Sequence, residues 1–123
     1  MRDVSEVLRG RRVMIVEDEM LVAMELESLL AEQGCAVVGP APTADRALAL
    51  LDEGLPDAAI LDVNLNGHTA VPVAAVLRAQ GVPFLLATGY SHSLQPELKD
   101  APRVDKPVNH EQLVRALARL LGG

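Results

Sequence analysis

Four polar groups along this chain each follow directly on an apolar run: Glu17-Asp18-Glu19, Asp62, Thr88 and Lys106-Pro107. Together their chemistry is that of a phosphate site. Adjacent carboxylates at the end of a buried strand repel each other, and burial raises their pKa values unless a cation compensates. Mg²⁺ is the natural choice, because it takes hard oxygen ligands, usually one or two carboxylates, and keeps its other positions for water and phosphoryl oxygens. Asp18 is assigned as a direct ligand, Glu17 as a water-mediated one, Asp62 as a second direct carboxylate and the Asn64 backbone carbonyl as a third protein oxygen. Asp62 can also attack a phosphorus atom in line, provided that metal and ammonium neutralise the charge on the transferred group. Lys106 supplies that ammonium as a compact point charge, and the Thr88 hydroxyl can donate to a phosphoryl oxygen.

Plainer readings exist for each group. Acidic residues stabilise helix N-termini, and Glu19 keeps that reading. Asp62 alone could cap a loop, and Thr88 alone could be an ordinary strand-end residue. The three histidines, His68, His92 and His110, fall in loops or helix starts with no pair at metal-ligand spacing, so they read as surface residues.

The elements that must position these groups alternate along the chain. Val13-Met14-Ile15-Val16 reads as a first strand, followed by a helix over residues 19–33 that turns Val22, Leu26, Leu29 and Leu30 to one face and stops at Gly34. A second strand, residues 35–39, ends at Pro40, and Thr43 caps a helix that faces Ala47, Leu48, Leu50 and Leu51 inward. Ala58-Ala59-Ile60-Leu61 is a third strand, residues 64–67 a loop, and residues 70–80 a helix that tolerates Pro72 in its first turn and closes on Gly81. Residues 82–87 form a fourth strand, residues 91–98 a short, weak fourth helix, and Arg103-Val104-Asp105 a brief fifth strand. Asn109 then caps a fifth helix that buries Leu113, Leu117 and Leu120.

Strands alternating with helices over short loops imply right-handed crossovers around a parallel sheet, an α/β three-layer (βα)5 flavodoxin-like fold of order 2-1-3-4-5. In that order the first and third strands flank the crevice where the winding reverses. Glu17, Asp18 and Asp62 meet there.

With 123 residues, half of them apolar, one domain is expected: an N-terminal tail over residues 1–10, frayed or a short surface helix, and a folded domain over residues 11–123. Aromatics are only 2 % of the chain, so the core must be aliphatic and the lone tyrosine, Tyr90, stands out. The balance of 11 Lys and Arg against 17 Asp and Glu gives a formal charge of −6, the wrong sign for gripping a nucleic-acid backbone directly. Cys35 is the only cysteine, which excludes a disulfide within the chain and reads as a buried small hydrophobe. No apolar stretch is long enough to insert in a membrane and no signal-peptide pattern precedes the first strand, so a cytoplasmic location is expected.

The stretch V-M-I-V-E-D-E from Val13, the run A-I-L-D-V-N-L from Ala59, Thr88 and Lys106-Pro107 together resemble the receiver domain of two-component response regulators. The resemblance runs from about Arg12 to the end and implies that a histidine kinase, or a histidine phosphotransfer protein, delivers a phosphoryl group to Asp62. It also implies a cis Lys106–Pro107 bond. Leu86-Ala87-Thr88-Gly89-Tyr90 is similar to the Phe-Ala-Thr-Gly-Tyr signature of a receiver subfamily found mainly in α-proteobacteria, with Leu86 in place of the Phe. Thr88 and Lys106 are 18 residues apart, in keeping with that subfamily's reduced fourth helix. Receivers usually carry a switch aromatic three residues before the lysine. Here that position is Arg103, which leaves Tyr90, two residues after Thr88, as the expected switch residue.

The expected function is therefore a stand-alone receiver, not an enzyme with an external substrate, that switches a downstream protein partner or drains phosphoryl groups from a shared kinase. The alternative is a receiver-shaped interaction module that phosphorylation does not control. A haloacid-dehalogenase-type phosphatase needs an acid two residues after its nucleophile, and Asn64 stands there. A flavodoxin-like flavin carrier needs a phosphate-cradling loop after the first strand, where Glu17-Asp18-Glu19 would repel the phosphate.

Overall fold

The computed structural model describes residues 3–65, 68–89 and 95–122. Five parallel strands form the sheet: β1 (Arg12–Val16), β2 (Ala36–Ala41), β3 (Ala58–Asp62), β6 (Phe84–Thr88) and β7 (Arg103–Asp105). Between β3 and β6 lies a small antiparallel pair, β4 (Asn64–Leu65) and β5 (His68–Thr69). The helices are α1 (Val4–Leu8), α2 (Met20–Glu32), α3 (Ala44–Glu53), α4 (Val71–Ala79) and α5 (His110–Leu120). The order across the sheet is β2-β1-β3-β6-β7, which is 2-1-3-4-5 when only its own strands are numbered, as expected.

The strands divide their side chains by alternation, since successive residues point to opposite faces. Met14, Val16, Ala59, Leu61, Phe84 and Leu86 pack under α3 and α4. Val13, Ile15, Ala58, Ile60, Leu85 and Ala87 pack under α1, α2 and α5. Helices on both faces explain why β3 and β6 are buried along their whole length and read as unbroken apolar runs. The helices start and stop where local chemistry dictates. Thr43 Oγ1 accepts the Arg46 N–H at 3.1 Å and Asn109 Oδ1 accepts the Gln112 N–H at 2.9 Å, so both predicted caps form.

Three local expectations change. The second strand does not stop at Gly39 but runs through the cis Gly39–Pro40 bond to Ala41, with a register shift against β1 between Met14 and Val16. Gly39 has φ +95°, and a Cβ there would lie 2.7 Å from the Ala41 nitrogen, so only glycine fits. Edge position tolerates Pro40, which has no N–H to give. Residues 64–67 were expected as a loop, but Asn64 and Leu65 pair with Thr69 and His68. A two-residue ladder is too short for periodicity to reveal.

The N-terminal segment forms the short helix of the two alternatives, yet it is not a surface appendage. Val7 and Leu8 are buried against α2 and α5, and Gly10 N–H donates to Gly34 C=O at 2.8 Å, which ties the segment to the end of α2. In the region of the weak fourth helix, the described residues contain only the 3₁₀ turn Pro96–Leu98, anchored by the fully buried Leu98 and by Arg78, whose guanidinium donates to Glu97 C=O and lies over the Phe84 ring. No helix among the described residues is long and apolar enough to cross a membrane.

Candidate functional site

The crevice at the carboxyl ends of β1, β3, β6 and β7 gathers the chemistry-bearing residues. Backbone bonds set their relative heights. Glu17 N–H donates to Ala41 C=O at 3.0 Å, Val63 N–H to Ala87 C=O at 3.2 Å and Lys106 N–H to Thr88 C=O at 2.7 Å, so each strand end is pinned to its neighbour. Glu17, Asp62 and Thr88 are the three buried polar side chains of the described residues. Burial of that kind costs several kcal/mol per ion unless charges are paired.

Lys106 does the pairing. Its Nζ lies 2.8 Å from Glu17 Oε1, 3.4 Å from Asp62 Oδ1 and 3.9 Å from Glu19 Oε1. Burial pulls the lysine pKa down, but the Glu17 hydrogen bond and the two neighbouring carboxylates outweigh it and hold the pKa above the ordinary value. Asp62 moves the other way from a typical carboxylate. Burial first, then the shared proton and charge of Glu17, push it up to about 7, against the weaker downward pulls of Lys106 and the Asn64 N–H. That N–H donates to Asp62 Oδ1 at 3.2 Å from the start of β4, so the hairpin missed in the sequence helps to orient Asp62.

One ammonium facing three acidic residues leaves excess negative charge. Glu17, Asp18 and Asp62 each offer a carboxylate oxygen within 4.8 Å of the others, close enough to share one cation. Glu17 Oε1 is fully buried, and among the described residues its partner is the Lys106 ammonium at 2.8 Å. Asp18 is only half buried and borders a cavity of about 660 Å³ lined also by Thr43, Asp45, Leu65 and Thr69. The residues present fit a hard divalent cation.

Glu19 stands at the N-terminus of α2, as its sequence reading has it, as the N-cap residue and without a side-chain capping hydrogen bond. Its N–H donates to Glu17 Oε2 at 3.0 Å, and its exposed carboxylate turns toward Lys106. Met20, Leu21 and Met24 follow it as exposed apolar residues on α2. The Lys106–Pro107 bond is cis, as the resemblance implies. Tyr90 and His92 lie outside the described residues, as does the side chain of His68. His110 is more than half exposed, with Glu25 at 3.8 Å, and Cys35 is buried with its thiol against Leu8 C=O, its pKa raised by burial.

Residues 13–118 match the family described as response regulator receiver domain. The chain belongs to that family. Among solved structures, the receiver is similar to SdrG from Sphingomonas melonis Fr1, with 40 % identity, a TM-score of 0.80, and coverage of 93 % of this chain and 98 % of that one. The response regulator PhyR from Brucella abortus is 31 % identical with a TM-score of 0.81, covering 94 % of this chain but 50 % of PhyR. Among curated proteins, the transcriptional regulatory protein PdtaR of Mycobacterium tuberculosis is 30 % identical over 112 residues, 87 % of this chain and 55 % of PdtaR. The chain thus spans about half the length of the curated relatives it matches. A receiver is a signalling domain of two-component systems, and its family interacts with histidine kinases and downstream partners.

Proposed function

We propose that this receiver is a phosphorylation-controlled switch whose phosphoacceptor is Asp62. The observation that carries the reading is the position of Lys106, which bridges Asp62 and Glu17 within a group of carboxylates able to share one cation. Asp18 and Asp62 would hold Mg²⁺ directly, Glu17 through water, and the Asn64 carbonyl would add a neutral oxygen. The bound ion would supply charge neutralisation of the phosphoryl oxygens and would favour the ionised form of Asp62.

The chain's own residues do the rest. An Asp62 carboxylate oxygen attacks the phosphorus of a phosphohistidine, a P–O bond forms as the P–N bond breaks, and the imidazole leaves with the electron pair and takes up a proton. Lys106 shifts from Glu17 toward the new acyl phosphate, and the Thr88 hydroxyl donates to one of its oxygens. Hydrolysis by water later returns inorganic phosphate and free Asp62. Donor proteins are a histidine kinase or histidine phosphotransfer protein, and the output is a protein partner or a phosphate sink, in the cytoplasm. The match to SdrG over nearly its whole length supports a stand-alone receiver.

Intact-mass measurement after incubation with a small phosphodonor tests the reading. One added phosphoryl group is expected with Mg²⁺, none after chelation and none in Asp62→Asn. Full labelling of Asp62→Asn would sink the assignment.

A further inference from the structure

The β4–β5 hairpin stands directly after β3 and directly before α4. Asn64 N–H donates to Asp62 Oδ1 at 3.2 Å, the same oxygen that lies 3.4 Å from Lys106 Nζ, so two donors fix one end of that carboxylate. Asn64 pairs in register with Thr69, and Leu65 with His68. An isolated two-stranded ladder is marginal in water, and one of two pairs is shorter still. Its rigidity must come from what each of its strands is fastened to.

β4 is fastened by Leu65, which is buried in the core beneath α3 and α4. β5 is fastened by Thr69. Its Oγ1 accepts the Val71 N–H at 3.1 Å, one of the donors that the first turn of a helix leaves unpaired. Ala70, the N-cap residue, has no side-chain oxygen to offer, and the hydroxyl one residue earlier does that work. Ala70, Val73, Ala74 and Leu77 seat α4 in the core. Thr69 therefore joins a firmly packed helix, through its side chain, to the residue paired with Asn64, through its backbone.

We propose that Thr69 is a positioning residue of the crevice: its hydroxyl locks the hairpin to α4 and so holds the Asn64 backbone in place beside Asp62. This role rests on the reading of the crevice as a Mg²⁺ site in which the Asn64 carbonyl is a ligand. Mg²⁺ demands near-ideal octahedral geometry, so a protein oxygen on a backbone that can shift binds it less well. A threonine that served α4 alone would affect stability and leave metal binding untouched.

A Mg²⁺ titration of the metal-free chain, followed by the backbone amide resonances of Val63 and Asn64, separates the two. Thr69→Val keeps the shape of the side chain without its hydroxyl, and should raise the Mg²⁺ dissociation constant by about tenfold, the low end of the cost of losing an outer-shell partner. Thr69→Ser keeps the hydroxyl and should restore binding. Thr43→Val removes the same kind of bond, from Thr43 Oγ1 to the Arg46 N–H of α3, and should leave the dissociation constant unchanged. Hydrogen exchange of the unaltered metal-free chain gives a readout that needs no variant to fold: the Asn64 and Val71 amides should both be protected. Mg²⁺ binding by Thr69→Val equal to that of the unaltered chain, a loss in Thr69→Ser as large as in Thr69→Val, or an equal loss in Thr43→Val overturns the proposal. So does a protected Val71 amide beside an Asn64 amide that exchanges freely. Failure of the metal reading itself looks different: the unaltered chain would take no Mg²⁺, or Asp62→Asn would bind it undiminished, and the role of Thr69 would fall with it.

Discussion

At the residue scale, the meeting of Glu17, Asp62 and Lys106, with Thr88 buried at the end of the neighbouring strand, was legible because parallel strands deliver their carboxyl ends to one edge. The resting partner of Lys106 was not. Sequence names an ammonium and several carboxylates, but only the geometry puts Glu17, at 2.8 Å, ahead of Asp62 as its partner. Asp62 has the most testable electrostatics. Its folded pKa of about 7 exceeds the unfolded value of 3.8, so the metal-free folded state binds the proton more tightly, and stability falls as pH rises from about 4 to about 7. Above that window Asp62→Asn should stabilise the metal-free protein, by about 2–4 kcal/mol, in urea unfolding at pH 8. Below pH 4 the difference should vanish. Mg²⁺ competes with the same proton, so its affinity should drop as pH falls through about 7, with proton release measurable by calorimetry in buffers of different ionisation enthalpy. Asp18→Asn should weaken Mg²⁺ binding more than Glu17→Gln, since a direct carboxylate carries more of the affinity than one acting through water. Equal losses would reverse those two roles.

At the element scale, both helix caps and the central strands followed from local rules, because Thr43 and Asn109 precede amphipathic runs and β3 and β6 are apolar at every core position. Thr43→Ala and Asn109→Ala should each cost about 1 kcal/mol in denaturant unfolding. The 64–69 hairpin, the extension of β2 through Pro40 and the seating of α1 were not legible, since each depends on partners distant in sequence. α1 carries the largest consequence. Leu8 is wholly buried beneath α2 and α5, so Leu8→Ala should cost about 2–5 kcal/mol, as for a core leucine. A frayed tail would give almost no change.

At the scale of the whole molecule, the net charge pointed away from nucleic acid and the receiver resemblance toward a protein partner, and the fold places the crevice and the β7–α5 face on consecutive residues, Asp105 and Lys106. A response at the crevice can reach that face only by a difference in contacts between two states. Thr88 pairs in register with Asp105, and its C=O accepts the Lys106 N–H, so it adjoins both residues. Tyr90→Ala is expected to uncouple partner capture from phosphorylation while leaving phosphorylation itself intact, as read by pull-down with and without a phosphoryl mimic. The proposed switch rests on one covalent bond. The direct measurement is to trap it: label the chain with a phosphodonor and Mg²⁺, reduce the acyl phosphate with borohydride, and map the product by peptide mass spectrometry. Homoserine at position 62 and at no other aspartate is the predicted result. Homoserine at position 18, or unmodified Asp62 in a protein that carries the label, would contradict the account.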